Sequence, residues 1–338
     1  MRQKPGSTTQ KSRGELALID RIRSRAGRIS NNSLSLGVGD DCALLRLKTG
    51  EEAAVTTDLS IEGRHFRLDL HPAEAIGHRT LARGLSDIAA MGARPVAAFL
   101  SLGLPPELTR SAGSRSSAWI DRFLDGFLAL ATQHKTPLAG GDLAQSSITL
   151  ADIVLIGAVP AGKALRRSGA RPGDILYVTG SLGGSALGLR RLSQRSSRRQ
   201  QQGLAPHLCP QPRIPQGLWI RRRNAASAAI DVSDGLSTDL HHLCKESRVS
   251  AEIDAASLPV FPGANLNDAL HGGEDYELLF TAHPSVRIPR RIAGVPVTRI
   301  GIVLKNRAAD RVLLIDSAGK RQPLEPGGWE HFRTAKPE

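Results

Sequence analysis

Three features of the sequence predict a two-domain fold of the α/β (or α+β) class. Strand-like and helix-like segments alternate along the chain. Its 338 residues, 40% hydrophobic and 23% charged, suffice for two cores of ordinary composition. A break near residues 158–162 separates two such series, each with its own glycine turns. The expected division is a disordered polar tail over 1–13, an N-terminal domain over 14–158 and a C-terminal domain over 159–338, with a basic flexible loop over 188–205.

The elements follow in order. Leu16, Ile19 and Ile22 recur at helical spacing in 15–26. "LSLGVGDDCALLRL" reads as strand, glycine turn, strand, and "EEAAVTTD" as a strand ending at Asp58. Pro72 opens a helix whose apolar stripe is Ile76, Leu81, Leu85 and Ile88, and Gly92 and Pro95 close it. "PVAAFLSLGLP" is a strand, 116–134 an amphipathic helix, and "TPLAGGDLAQSSITLADIVLIGAVP" two strands around a glycine turn. Beyond the break come the strand and helix of "GDILYVTGSLGGSALGL", the basic loop, a Pro-rich stretch, a helix over 216–227, the strand of "AIDVSDGLSTDL" running into a helix, "GGEDYELLFTA", and a C-terminal series of strands.

Composition excludes several classes. No apolar run approaches the roughly 20 residues that span a bilayer. The polar N-terminus has no apolar signal core, and Cys42, Cys209 and Cys244 are scattered, which fits a reducing compartment; cytoplasm is expected. The net charge is +13, but the stretch 163–223 alone holds 13 Lys and Arg against one acid, Asp174. With 4% aromatics and no recognisable nucleic-acid motif, this reads as a solvated basic segment, and nucleic acid is not expected as a partner. "GAVPAGKA" (157–164) nearly matches a phosphate-binding loop, but Ala164 lacks the metal-binding hydroxyl and Pro160 lacks an N–H.

The acids carry the chemistry. Asp40 and Asp41 lie in "GVGDDC", Asp58 in "VTTD", Asp142 in "LAGGD", and Asp231 and Asp234 in "AIDVSDG"; Asp87 sits on a helix between apolar neighbours. Any one alone reads as a helix cap or an Asx-turn. Together they read as strand-to-turn carboxylates that would repel one another if they converged without cations. Hard divalent ions take oxygen ligands, and Thr56 and Thr57 beside Asp58 add more. This set points to phosphoryl transfer from a nucleotide, in which metals and positioning dominate.

"GVGDDCALL", "TTDLSIEGRHF", "LSDIAAMGARP", "LAGGD", "RRSGARPGDILYVTG", "AIDVSDGLSTDL" and "GGEDYELLF" occur in this order. The ordered set closely resembles the thiamine-monophosphate kinase family of the aminoimidazole-ribonucleotide synthetase superfamily, from about residue 14 to 333. The resemblance implies two α/β domains, a homodimer formed through the N-terminal sheets, and transfer of the γ-phosphoryl group of ATP to thiamine monophosphate with several Mg²⁺ ions. By motif position it implies a metal shell of Asp41, Thr56, Thr57, Asp58, Asp87, Asp142, Asp231 and Asp234. It implies ATP contacts at Gly141, Asp142, Arg167 and Ser233, and acceptor contacts at His65, Glu274 and Trp329. No general base is expected. Two features depart from the family pattern: Leu124 where an aromatic is frequent, and the Arg-rich segment 190–203. The competing readings are another ATP-dependent synthetase of the superfamily and a basic nucleic-acid-binding protein on an inactive scaffold.

Overall fold

The structure, a computed structural model, describes residues 15–110, 118–194, 203–306 and 311–329. The expected tail over 1–13 and residues 195–202 of the basic loop lie outside the described residues. The N-terminal half runs α1 (Glu15–Ala26), β1 (Leu34–Leu36), β2 (Leu44–Leu45), β3 (Glu51–Ile61), α2 (Ala73–Ala90), β4 (Arg94–Leu104), α3 (Trp119–Gln133), β5 (Leu138–Gln145) and β6 (Leu150–Pro160). The C-terminal half runs β7 (Ile175–Thr179), α4 (Gly184–Ser193), α5 (Ala205–Leu208), α6 (Ile214–Arg222), β8 (Ala228–Val232), α7 (Leu236–Ser247), β9 (Ser250–Asp254), α8 (Leu266–His271), β10 (Glu277–Ala282), β11 (Arg291–Ile292), β12 (Val295–Leu304), β13 (Val312–Ile315) and β14 (Arg321–Pro323).

The first half builds a four-stranded sheet in the order β3-β6-β4-β5, antiparallel except for β4 with β5. The second builds a larger sheet in the order β14-β13-β9-β12-β7-β10-β8, with β11 paired to β12. One core cluster joins the halves: Ile76, Leu81, Leu85 and Ile88 of α2 share it with Leu155 of β6, Ile220 of α6 and Phe280 of β10. α2 is therefore buried on almost every side, as a helix between two sheets must be.

Glycines set how closely α2 is approached. A Cβ on Gly126 of α3 would stand 1.8 Å from the Glu74 carbonyl oxygen, and one on Gly217 of α6 2.0 Å from that of Ala89. Backbone cannot swing aside as a side chain can. Gly126→Ala is therefore expected to lower stability by about 2 kcal/mol, although Ala is the better helix former by about 1 kcal/mol. An unchanged or raised urea midpoint would contradict this packing.

Three local expectations differ from what the chain does. Asp58 does not end its strand: β3 continues to Ile61, paired with β6 along its whole length. "LAGGD" is not a turn but part of β5, and the chain reverses after Gln145. Gly141 is needed there for closeness, since a Cβ would lie 1.8 Å from the Leu100 carbonyl oxygen. The expected helix 216–227 runs Ile214–Arg222, with Pro215 in its first turn.

Candidate active site

A cavity of about 690 Å³ opens where α2 passes between the two sheets. That is the size of an ordinary small-ligand pocket. Its polar wall rests on one stripe of α2: Arg79, Arg83, Ser86 and Asp87 lie at i, i+4, i+7 and i+8, on one helical face, and Arg83 and Asp87 line the cavity itself. Between them they reach β3, β8 and the loop before β10. Arg79 donates to the Glu274 carboxylate at 2.7 and 2.8 Å. Arg83 reaches Asp58 of β3 at 3.3 Å. Ser86 donates to Asp231 of β8 at 2.7 Å, and Asp87 accepts the Thr56 hydroxyl.

The acids of this wall are crowded. Burial raises the Asp58 carboxyl to about 6; Arg83 opposes the rise, and Asp87 and Asp152 add to it. Burial, then the neighbouring Asp87, push Asp231 far above the ordinary carboxylate range, against the Ser86 hydrogen bond and Arg167. Asp87 rises through burial too, opposed by Thr56, Arg167 and Arg83. The loop after β8 is pinned by Asp239 of α7, which accepts the N–H groups of Ser233 (3.1 Å) and Asp234 (3.0 Å). That places Ser233 and Asp234 on the cavity wall.

The opposite wall is made by loops stitched to the same place. The Glu274 N–H donates to the Ser233 carbonyl (2.7 Å) and the Tyr276 N–H to that of Val232 (2.9 Å). Glu274 and Tyr276 hold left-handed φ angles of 65° and 51°, a conformation that costs side-chain-bearing residues of order 1 kcal/mol each and concentrates at functional sites. Burial alone would raise the Glu274 carboxyl, but the Arg79 guanidinium outweighs that and holds it well below the usual range. The N–H groups of Gly327 and Gly328 donate to the Ser237 and Thr238 hydroxyls at 3.2 and 3.1 Å, and that of Trp329 to the Asp234 carbonyl at 3.1 Å. These bonds carry Trp329 to the cavity mouth, half exposed. His65 lines the wall beside it, its Nδ1 accepting the Ile61 N–H at 3.0 Å, which leaves Nε2 as the protonated nitrogen.

Two stretches match family models: residues 39–161 the AIR synthase related protein, N-terminal domain, and residues 171–308 the corresponding C-terminal domain. The thiamine-monophosphate kinase of Escherichia coli strain K12 is 39% identical, over 95% of this chain and 99% of its own. The chain belongs to the thiamine-monophosphate kinase family. The crystal structure of thiamine-monophosphate kinase from Stenotrophomonas maltophilia K279a superposes with a TM-score of 0.75 at 38% identity, covering 89% of this chain and 96% of that one. AaThiL complexed with AMPPCP and TMP gives a TM-score of 0.72 at 31% identity, covering 98% and 99%.

In this member of the thiamine-monophosphate kinase family, Thr57, Asp58, Asp87, Asp231, Ser233, Asp234, His65, Glu274 and Trp329 line one cavity. Thr56 stands behind it on Asp87, and Arg167 acts on Asp87 and Asp231 through its charge. Asp41, Gly141 and Asp142 are not brought to it. Asp142 pairs with Ser101, which pairs with Asp152, which pairs with Leu59. It therefore sits three strand spacings, about 14 Å, from β3, on the sheet face opposite Asp58. Gly37, in the loop that carries Asp41, packs beside Ala139 of that same distant β5. Among the described residues, no three acids, histidines or cysteines stand close enough as they are to hold a metal ion. Leu124 is fully buried in the α2–α3 core and offers no face to a ligand.

Arg79, Arg83, Asp239 and His207 were not among the residues singled out from the sequence. The helical spacing of Arg79, Arg83 and Asp87 was available as a signal; it was obscured by the apolar stripe of the same helix. His207 is buried, with Nε2 3.0 Å from His71 Nε2 and Nδ1 2.9 Å from the Ser185 hydroxyl. Burial, then Arg79, lower it to about 3, so it is neutral in the folded chain and would take up a proton below about 6.5 once unfolded. Stability should therefore fall as pH drops from 6.5 towards 3, by at most about 1.4 kcal/mol per unit from this group. Comparing urea midpoints at pH 7.5 and 5.5 checks it: His207→Gln should flatten the difference, and an equal pH dependence in the variant would contradict the assignment.

Proposed function

We propose that the chain transfers the γ-phosphoryl group of ATP to the phosphate of thiamine monophosphate, giving thiamine diphosphate and ADP. The observation that carries this is the two-walled cavity, with crowded acids on one side and the Glu274, His65 and Trp329 group on the other, in a family whose relatives bear that activity in their names. The acid wall has the donor chemistry for Mg²⁺: carboxylate and hydroxyl oxygens, with carboxylates that burial and mutual repulsion disfavour as bare anions. Asp58, Asp87, Asp231, Asp234 and the threonines 56 and 57 would hold it. Bound Mg²⁺ supplies charge neutralisation for the triphosphate and the transferred group.

The remaining roles belong to the chain. Arg167 adds a fixed positive charge beside the nucleotide phosphates, and Ser233 a hydroxyl. Trp329 offers an aromatic face to the cationic thiazolium, and Glu274, kept ionised by Arg79, offers it a counter-charge. One oxygen of the acceptor phosphate bonds to the γ-phosphorus while the bond from that phosphorus to the bridging oxygen breaks, and ADP leaves with the electron pair. The acceptor phosphate has a second pKa of about 6, so no residue is needed to remove a proton.

A second copy completes the site in this reading. Val55 and Leu59 of β3 are 61% and 45% exposed on the sheet face away from α2, beside Val154, Ile156 and Phe99. β3 and β5 are the end strands of this sheet. Two sheets closing face to face, β3 of one along β5 of the other, would make an eight-stranded barrel of the size that side chains fill. The edge with Asp41, Gly141 and Asp142 of one copy would then lie against Thr57 of the other. The compartment read from the sequence is cytoplasmic, and no helix among the described residues is long and apolar enough to cross a membrane.

The test is ADP release with thiamine monophosphate at varied Mg²⁺. Turnover that requires both is expected; full turnover in excess EDTA, or none with thiamine monophosphate present, sinks the proposal.

A further inference from the structure

Three arginines line the cavity: Arg64, Arg67 and Arg83. Arg64 and Arg67 are exposed, and Arg67 is committed to Asp69 through two hydrogen bonds of 3.0 and 2.6 Å. Arg83 differs. Its side chain is 18% exposed and sits between the two walls, with Asp58 on one side and Glu274 and Tyr276 within electrostatic reach on the other. Its contact with Asp58 is a single one of 3.3 Å, longer than the roughly 2.8 Å of a committed charge-assisted pair. A guanidinium has five N–H donors in a planar fork suited to phosphate, and this contact uses one of them.

α2 acts as a ruler. Arg79 holds the carboxylate assigned to the thiazolium, and Asp87 belongs to the acid wall. Arg83 lies four residues from each, about 6 Å along the axis in either direction. A phosphate monoester whose cationic ring rests at Glu274 and whose oxygen must approach the acid wall passes between these points. It carries nearly two negative charges there, next to Asp58. Without a cation of the chain at that level, the acids would repel it.

We propose that Arg83 binds the acceptor's phosphate and thereby selects phosphorylated thiamine over the free alcohol. The inference rests on the reading of the cavity as a thiamine-monophosphate site. Arg83 shares itself with Asp58 until the acceptor arrives, then turns its remaining donors onto the phosphate oxygens. Its partner in the resting chain, Asp58, belongs to the acid wall that would hold the nucleotide's Mg²⁺, so the two half-sites communicate through one side chain.

The test measures binding of thiamine monophosphate and of thiamine to the full chain by calorimetry, with Mg²⁺ and AMPPCP present. The wild-type chain should prefer the monophosphate. Arg83→Gln should weaken the monophosphate more than tenfold and leave thiamine within twofold; the retained thiamine affinity also reports an intact pocket. Arg83→Lys, which keeps the charge and loses the fork, should fall between. Monophosphate affinity within twofold of wild type in Arg83→Gln, or equal loss for both ligands, overturns the proposal. A wild-type chain that binds neither ligand and releases no ADP overturns instead the underlying reading of the cavity, and with it this one.

Discussion

Asp231→Asn should abolish most turnover and at the same time make the metal-free chain harder to unfold. Asp231 is 2% exposed, and burial, then the neighbouring Asp87, disfavour its charged form, with Asp58 adding to the repulsion. Asn keeps the acceptor oxygen for the Ser86 hydroxyl, 2.7 Å away, so the local geometry survives. What disappears is a buried negative charge whose neighbours disfavour it. In EDTA the unfolding temperature should rise by a few degrees, since relieving a buried like-charge contact is worth on the order of 1 kcal/mol or more. With Mg²⁺ and ATP the same charge is an asset, and its loss removes several kcal/mol of transition-state stabilisation, a fall of a hundredfold or more in kcat by order of magnitude. Steady-state ADP release and thermal scans in EDTA check the pair. Near-normal kcat, or a lower unfolding temperature with poor secondary structure, would contradict the role given to Asp231.

Arg79→Met should damage both stability and acceptor binding. The Arg79 side chain is 6% exposed and donates to Glu274, to the His65 carbonyl at 3.3 Å and to the His207 carbonyl. Methionine fills similar volume but leaves Glu274 ionised without its partner and two carbonyls without a donor. Stranding one member of a buried pair costs about 3–5 kcal/mol, and the lower end applies because Glu274 keeps 26% exposure towards the cavity. The acceptor KM should rise more than tenfold, since His65 and Glu274 are both held by this residue. Arg79→Met combined with Glu274→Gln should cost less than the sum of the two single changes. Strict additivity in urea midpoints would show that the two side chains do not depend on each other.

The sequence revealed more of the site's composition than of its assembly. Asp58, Asp87, Asp231 and Asp234 were legible because acids in apolar surroundings are costly without a reason, and the four line one cavity. Asp142 was equally legible, but its distance from Asp58 depends on strand order, and nothing local in "LAGGD" shows that β5 lies at the far edge from β3. The glycines misled in the same stretch. They suggested a turn, whereas Gly141 serves a close strand contact with Leu100. Arg79 and Arg83 were hidden by their helix. The apolar stripe of Ile76, Leu81, Leu85 and Ile88 accounts for one side of α2, while its polar side is buried as well. Trp329 reaches the cavity through backbone bonds from Gly327 and Gly328 to α7, contacts over 90 residues that no spacing encodes.

The central claim is that acids from β3, α2 and β8 form one cation-dependent phosphate site. Counting bound Mn²⁺ by electron paramagnetic resonance, with AMPPCP present, tests it most directly because Mn²⁺ favours the same oxygen ligands as Mg²⁺. The wild-type chain should bind more ions, and more tightly, than Asp58→Asn or Asp231→Asn. An ion count and affinity that neither substitution changes would contradict the account.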